Sequence, residues 1–292
     1  VIAVFPSPFE YQAPASLDEA LALLSQHGDR AKVLAGGHSL LPLMKLRLAA
    51  PELLIDIGRI PELAGIREAD GGLVIGARTT YRMVQESPLV RERFLLVQEA
   101  AEVVGDQQVR NRGTIGGALA HADPASDMPA VMLALNAELT LVRQGGRRTL
   151  PMGEFLLDAL TTALQPGELL TDIRLPALPA RSGTAYVKYP HPASGYAVVG
   201  VAAVVTLDTQ GRCSDVRVGI TGASSKAYRS RGVEQALAGQ APTEQNIAAA
   251  AERAAEGVEM NSDLFASAEY RAHLARVFTR RALALAAQRA MG

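Results

Sequence analysis

Two glycine turns, one subdomain apart, limit most tightly what this 292-residue chain can fold into. The first is Ala35-Gly36-Gly37-His38-Ser39, between a mostly apolar stretch at 31–35 and a short helical pattern at 40–48. Glycine lets the backbone bend tightly and lets an anion come close to its N–H groups, and Ser39 is placed to cap the helix. The second is Arg112-Gly113-Thr114-Ile115-Gly116-Gly117-Ala118, inside a polar, glycine-bearing segment at 105–127 that reads as a long loop. Thr114 offers a hydroxyl, Gly116 and Gly117 offer N–H groups, and Asp123 and Asp127 offer acceptors for sugar-like hydroxyls. Long structureless segments inside compact domains are usually functional or disordered. Bland readings stand beside both: an ordinary capped strand-to-helix turn for the first, and a solvated surface loop with Asp127 capping the next helix for the second. Neither turn is a G-x-G-x-x-G dinucleotide fingerprint or a G-x-x-x-x-G-K-[ST] loop. A pair of them fits a long diphosphate ligand lying between two lobes.

The surrounding pattern supplies those lobes. Ser16 with Glu19 three residues on predicts a capped helix that closes at Gly28. Strands are predicted at 31–35 and 53–57, and again at 72–77 after a second unit begins at Arg59. A Thr79-Thr80 cap opens a helix through Glu86, and one longer helix is expected over 91–104. A helix at 128–135, a hairpin over 139–150 turning at Gly145-Gly146, and a strand at 168–175 follow. Pro176, Pro179 and Gly183 mark a linker. Beyond it, strands at 186–189, 197–207 and 215–222 precede helices at 231–238, 243–257 and 268–291, an α+β order.

Composition narrows the class. Lys+Arg 29 against Asp+Glu 30 leaves a net charge of -1, without the basic surplus of a nucleic-acid binder. Hydrophobic residues at 48% suffice for a large core, yet no apolar run reaches the ~18 residues of a membrane span. No secretory pattern opens the sequence. The single cysteine, Cys213, excludes an intrachain disulfide, a cysteine-only zinc site and a four-cysteine iron–sulfur cluster on this chain. A soluble, cytoplasmic protein is the expectation. No pair of the five histidines has the i, i+4 spacing of a helical metal pair.

Four segments in this order, AGGHSLLPLMKLRL, GTIGGALAHADPASDMPA, PGELLTDIRLP and YPHPASGYAVVGVAA, resemble the FAD-binding medium subunits of the molybdenum hydroxylases, the group of the aerobic carbon monoxide dehydrogenase medium subunit and the xanthine dehydrogenase flavin domain. The resemblance covers essentially the whole chain. It implies an α+β protein: a two-lobed, vanillyl-alcohol-oxidase-like (PCMH-type) FAD domain over 1–178, with lobes at about 1–58 and 59–178, then a smaller α+β C-terminal domain over 183–292. By the same resemblance, Ala35, Gly36, Gly37, His38, Ser39 and Leu40 would hold the FAD pyrophosphate from one side. Thr114, Ile115, Gly116, Gly117 and Ala118 would hold it from the other. Asp123 and Asp127 would lie near its sugar-like parts, Leu169 or Leu170 near its ring system, Lys188 with its charge beside the ring, and Tyr196 over a ring face. The family carries Asn where this chain has Ala118, so one side-chain amide is missing, while the backbone donors are expected to suffice. The charged pattern before the tyrosine is also replaced, by His191-Pro192-Ala193-Ser194-Gly195.

The function so implied is that of the flavoprotein subunit of an oxidoreductase. A small subunit with two two-iron, two-sulfur clusters and a large molybdopterin subunit would complete it, as a dimer of heterotrimers. No residue is nominated as a general acid, base or metal ligand. A stand-alone FAD oxidoreductase and a cofactor-free binding module of the same fold are the rival readings. His38 and His121 read equally as ligand contacts or as loop packing. Cys213 reads as a packing residue. The Arg110/Arg112 pair and the terminal-helix arginines 276, 280, 281 and 289 read as solvated faces.

Overall fold

A computed structural model describes residues 5–292; the first four residues of the expected first lobe lie outside the described range. That lobe is built from β1 (Glu10–Gln12), α1 (Leu17–His27), β2 (Ala31–Leu34), α2 (Leu40–Lys45) and β3 (Leu53–Asp56). The Ser16 hydroxyl accepts the Glu19 N–H at 3.3 Å, and the Glu19 carboxylate accepts the Ala15 N–H at 2.9 Å, so the expected cap forms with its return bond one residue earlier. The strands pair in parallel in the order β1-β3-β2. Helical crossovers make the parallel pairing possible. Ala20, Leu21 and Leu24 of α1 close over Leu53, Ile55 and Ile57.

The second lobe starts with β4 (Ile66–Ala69) and β5 (Gly72–Gly76). The single helix expected over 91–104 is two, α4 (Pro88–Arg93) and α5 (Leu95–Glu102), after α3 (Tyr81–Glu86). They break at Phe94, which leaves helical geometry (φ -138°, ψ 53°) and is 1% exposed in the core. The loop expected over 105–127 is also corrected: it holds α6 (Gln107–Arg112) and α7 (Ile115–His121), capped by the side chains of Asp106 and Thr114. Then come α8 (Asp127–Ala134), β6 (Glu138–Arg143), β7 (Gly146–Pro151), α9 (Met152–Phe155), the short ribbon β8 (Leu156–Asp158) and β9 (Thr161–Thr162), and β10 (Leu169–Leu175). The antiparallel sheet runs β4-β5-β10-β6-β7, with Ile173 opposite both Ile75 and Leu139.

All eight residues of α8 are buried, because the last part of the chain covers its outer side. This part is an antiparallel sheet of β11 (Ser182–Pro190), β12 (Ala197–Leu207), β13 (Cys213–Thr221) and β14 (Tyr228–Arg229), with α10 (Arg231–Leu237), α11 (Glu244–Ala251) and α12 (Ala268–Met291). The strand expected at 186–189 is therefore longer, beginning at Ser182 inside the expected linker. Every residue of β12 is buried: α12 packs on one face and α8 on the other, which explains its unbroken apolar run. A side chain at Gly219 would strike the Ala130 carbonyl, so β13 and α8 meet backbone to backbone.

Cations tie the layers together through carbonyls. Lys226 donates to Leu156 and Leu157, and Arg229 to Leu133. Arg289, read above as part of a solvated face, instead bonds the Glu99 carboxylate and the Thr184 carbonyl. Cys213 is buried in the C-terminal core, as expected of a packing residue, and burial pushes its thiol up to about 11.

Candidate functional site

The first glycine turn leaves β2 after Leu34, bends through Gly37 at φ +78° and enters α2. A side chain on Gly36 would collide with the Arg112 carbonyl and come within 3.0 Å of the Gly113 Cα. The two glycine turns therefore abut, although they are far apart in sequence. Ser39 does not cap α2 as expected: it sits at φ -104°, ψ -51° and accepts no capping bond. The consequence is a row of unspent donors. The N–H groups of Gly36, Gly37, His38, Ser39 and Leu40 meet no acceptor among the described residues, while Leu41 already donates to the Gly37 carbonyl at 3.0 Å. Buried backbone N–H groups are nearly always paired. Five consecutive donors on a mostly half-buried turn suit a group rich in acceptor oxygens and negative charge.

The second turn is built on the opposite logic. The Ile115 N–H donates to the Thr79 carbonyl at 3.0 Å, Gly116 to Ala77 at 2.8 Å, and Ala118 to Thr114 at 3.1 Å. Gly117 donates to the Thr114 hydroxyl at 3.1 Å. The expectation that Gly116 and Gly117 present free donors is thus corrected; their N–H groups are consumed by the fold. Gly116 is glycine because its Cα lies against the 77–79 backbone: a Cβ would meet the Ala77 carbonyl at 2.6 Å. The segment after α7 is pinned to the C-terminal sheet. Ala197 donates to the Ala125 carbonyl, and the Thr221 hydroxyl reaches the Pro124 and Ser126 carbonyls. Asp123 closes its own turn, accepting the Ala125 N–H at 2.8 Å.

Asp127 does not cap α8; Ser126 holds the cap position, and Asp127 is the first helical residue, 4% exposed. Its carboxylate accepts the Tyr186 hydroxyl at 2.5 Å and the Lys188 ammonium at 2.9 Å, and Lys188 also donates to the Val103 carbonyl at 2.9 Å. Burial drives the Asp127 carboxyl above its ordinary range, against the pull of Lys188 and Tyr186. The positive charge expected of Lys188 beside the ring therefore comes with its own counter-ion. This pair, 61 residues apart in sequence, gave no local sign of itself.

Tyr196 is 43% exposed, and both its burial and the nearby Asp123 and Asp127 push its hydroxyl upward. It ends the connection between β11 and β12, near Asp123 and Asp127. Leu169 and Leu170 point to opposite sides of β10, Leu169 into the first-lobe core and Leu170 into the second. His38 is exposed, and His121 ends α7 half-buried. His191 accepts the N–H groups of Ala193 and Ser194 and packs on Phe265, its ring centroid 4.4 Å away.

The residues present fit the diphosphate of FAD. One turn holds unspent donors, and the other is glycine where a side chain would push the two turns apart. Ala118 removes an amide without removing a free backbone donor, since its own N–H is already bonded. A residue that sequence reasoning did not single out is Arg78, between the two carbonyls that anchor the second turn, with its Nε buried and unbonded among the described residues. No motif marked it, because its place depends on what packs around it.

Comparison with known proteins agrees with this geometry. Residues 7–178 match the family model of the FAD-binding domain in molybdopterin dehydrogenase, and residues 184–286 match that of the CO dehydrogenase flavoprotein C-terminal domain. The carbon monoxide dehydrogenase medium chain of Hydrogenophaga pseudoflava is 44% identical, over 96% of this chain and 97% of its own. Subunit alpha of the 6-hydroxypseudooxynicotine dehydrogenase complex of Paenarthrobacter nicotinovorans is 40% identical, over 98% and 96%. The solved structure of the H. pseudoflava carbon monoxide dehydrogenase, in a form lacking the Mo-pyranopterin moiety of its molybdenum cofactor, superposes with a TM-score of 0.94 at 45% identity, covering 98% of this chain and 99% of that one. With both family models matched in order and full-length relatives on either side, the chain belongs to the FAD-binding medium subunits of the molybdopterin dehydrogenases and is an FAD-dependent oxidoreductase subunit.

Proposed function

We propose that this chain is the electron-transferring flavoprotein subunit of a molybdenum hydroxylase. In this reading it works beside a small subunit with two two-iron, two-sulfur clusters and a large molybdopterin subunit, in a cytoplasmic dimer of heterotrimers. FAD, when bound, supplies the redox carrier that receives electrons from the partner's clusters and releases them to an external acceptor. The chain's own residues bind, orient and shield. The observation that carries the reading is the row of five unspent N–H groups at 36–40, set against the Arg112–Gly113 backbone.

Ala35 to Leu40 hold the diphosphate by backbone donation. Thr114 to Ala118 form the facing wall, rigid because the N–H groups of Ile115 to Ala118 are already bonded within the fold. Asp123 and Asp127 border the sugar-like part, with Asp127 acting chiefly by fixing Lys188 and Tyr186. Leu169 or Leu170, which face opposite sides of β10, backs the ring side from within its core, and the exposed Tyr196 covers a face. The FAD domain extends over about 1–178, and the C-terminal domain starts near 183. The chain's only cysteine is buried in the C-terminal core, so the iron–sulfur ligands come from another chain. Its relatives are named for carbon monoxide and for 6-hydroxypseudooxynicotine; the substrate is accordingly chosen by a partner.

The test is direct. The purified chain, incubated with FAD and passed through gel filtration, retains visible flavin absorbance. Its absence after excess FAD sinks the reading. Expressed with its neighbours, the chain co-purifies with iron and molybdenum; full turnover by the lone chain would replace the subunit reading with the stand-alone one.

A further inference from the structure

Arg78 lies in the connection between β5 and α3, and the backbone on each side of it is locked to the second glycine turn. The Ala77 carbonyl takes the Gly116 N–H at 2.8 Å, the Thr79 carbonyl takes the Ile115 N–H at 3.0 Å, and the Tyr81 N–H donates to Gly113 at 3.1 Å. Gly113 is in turn the residue against which Gly36 of the first turn packs. A residue on this short stretch is therefore close to both walls of the site.

Its side chain is unusual in having nothing to do. The Nε of this half-buried arginine is buried without an acceptor, and its terminal nitrogens, which are not buried, make no hydrogen bond or ion pair among the described residues. The neighbouring arginines are spent. Arg82 pairs with Glu86 and reaches Asn111, Arg93 pairs with Glu68, and Arg110 donates to the Val104 and Gly105 carbonyls. Arg112 is exposed, where water serves it. A buried donor left unbonded is costly, and the terminal nitrogens, which are not buried, stay open to a partner that the protein itself does not supply. Arginine presents its donors as a fixed fork that matches phosphate oxygens.

We propose that Arg78 is a cofactor-binding residue, its guanidinium balancing the negative charge of the FAD diphosphate held on the N–H row at 36–40. This rests on the FAD reading above and adds to it a side chain that carries charge. The backbone row contributes donors but no net charge, and the described residues at 35–44 hold no acid and no arginine or lysine. Arg78 supplies what the two turns lack.

The experiment is titration of the full-length apo chain with FAD by calorimetry over a range of salt concentrations. Arg78→Met weakens FAD binding about tenfold and flattens its salt dependence, because one ionic contact is gone. Arg78→Lys restores part of both. The melting temperature of the apo chain stays level or rises in Arg78→Met, since the variant removes a desolvated donor that has no partner. Wild-type affinity and salt dependence in Arg78→Met overturn the assignment and leave the FAD reading intact. So does a loss of affinity matched by destabilised apo protein and not recovered by lysine, which marks a packing role. A wild-type chain that takes up no FAD overturns the underlying reading, and this one with it.

Discussion

Replacing Lys188 by Met tests whether the ion pair with Asp127 is what holds the C-terminal sheet against α8. The side chains of both residues are almost wholly buried, 4% and 5% exposed. Their strands and helices belong to different layers of the fold. Lys188→Met keeps the apolar stem and removes the ammonium. It leaves the Val103 carbonyl without its donor and leaves Asp127 with only the Tyr186 hydroxyl. Removing one partner of a buried pair costs about 3–5 kcal/mol, because the other charge stays desolvated. At about 2 °C per kcal/mol for a chain of this size, the melting temperature falls by roughly 6–10 °C. The double variant Lys188→Met/Asp127→Asn removes the orphaned charge and recovers about 2 kcal/mol or more, a coupling expected of contacting residues.

The pH dependence follows with a definite sign. Burial already raises the Asp127 carboxyl in the wild type, and loss of Lys188 raises it further. The folded single variant then binds a proton that the unfolded chain has released, so its deficit shrinks as pH falls through the folded-state value and is largest at neutral pH. Urea unfolding followed by far-ultraviolet circular dichroism is the suitable assay, since the chain has no tryptophan. A single variant within 1 kcal/mol of wild type at neutral pH refutes the argument. So does a double variant no more stable than the single one.

Other consequences are simpler to measure. Gly36→Ala forces its Cβ onto the Arg112 carbonyl, separating the two turns; the chain should fold but lose retained flavin absorbance after gel filtration. Arg148 beside Glu168 holds that carboxyl below its ordinary 4.5, through two bonds of 2.7 Å. Glu168→Gln should therefore cost about 2 kcal/mol at neutral pH, a difference that fades as pH drops through the lowered value and the wild type loses the same pair; a deficit unchanged at low pH would contradict this. With its thiol pushed up to about 11 inside the core, Cys213 should resist alkylation at mildly alkaline pH until urea unfolds the chain, and native-state labelling at the rate of a free thiol would show the strand pairing to be loose.

What could be read from the sequence was what a few neighbouring residues decide together. Ser16 and Thr80 cap helices where the sequence predicts, because a cap bond spans only three residues. The terminal helix spans Ala268–Met291 as expected. The unbroken apolar run at 197–207 is a buried central strand. The one cysteine in the composition already excluded a four-cysteine iron–sulfur cluster on this chain, and the ordered motifs pointed to FAD. The tertiary structure decided everything that depends on who receives a hydrogen bond. Both glycine turns look alike in sequence, yet only the first keeps its N–H groups unspent; those of the second go to the 77–79 backbone and to Thr114. The segment at 105–127 looked like a loop because α6 is short and polar and α7 is short and opens on two glycines, its first turn held by the 77–79 backbone. Lys188, expected as a charge beside the ring, carries a buried counter-ion; Arg78, which no motif marks, has its Nε buried without an acceptor among the described residues. Local periodicity and capping are set by contacts a few residues long, whereas the count of satisfied and unsatisfied donors is settled only when distant segments pack.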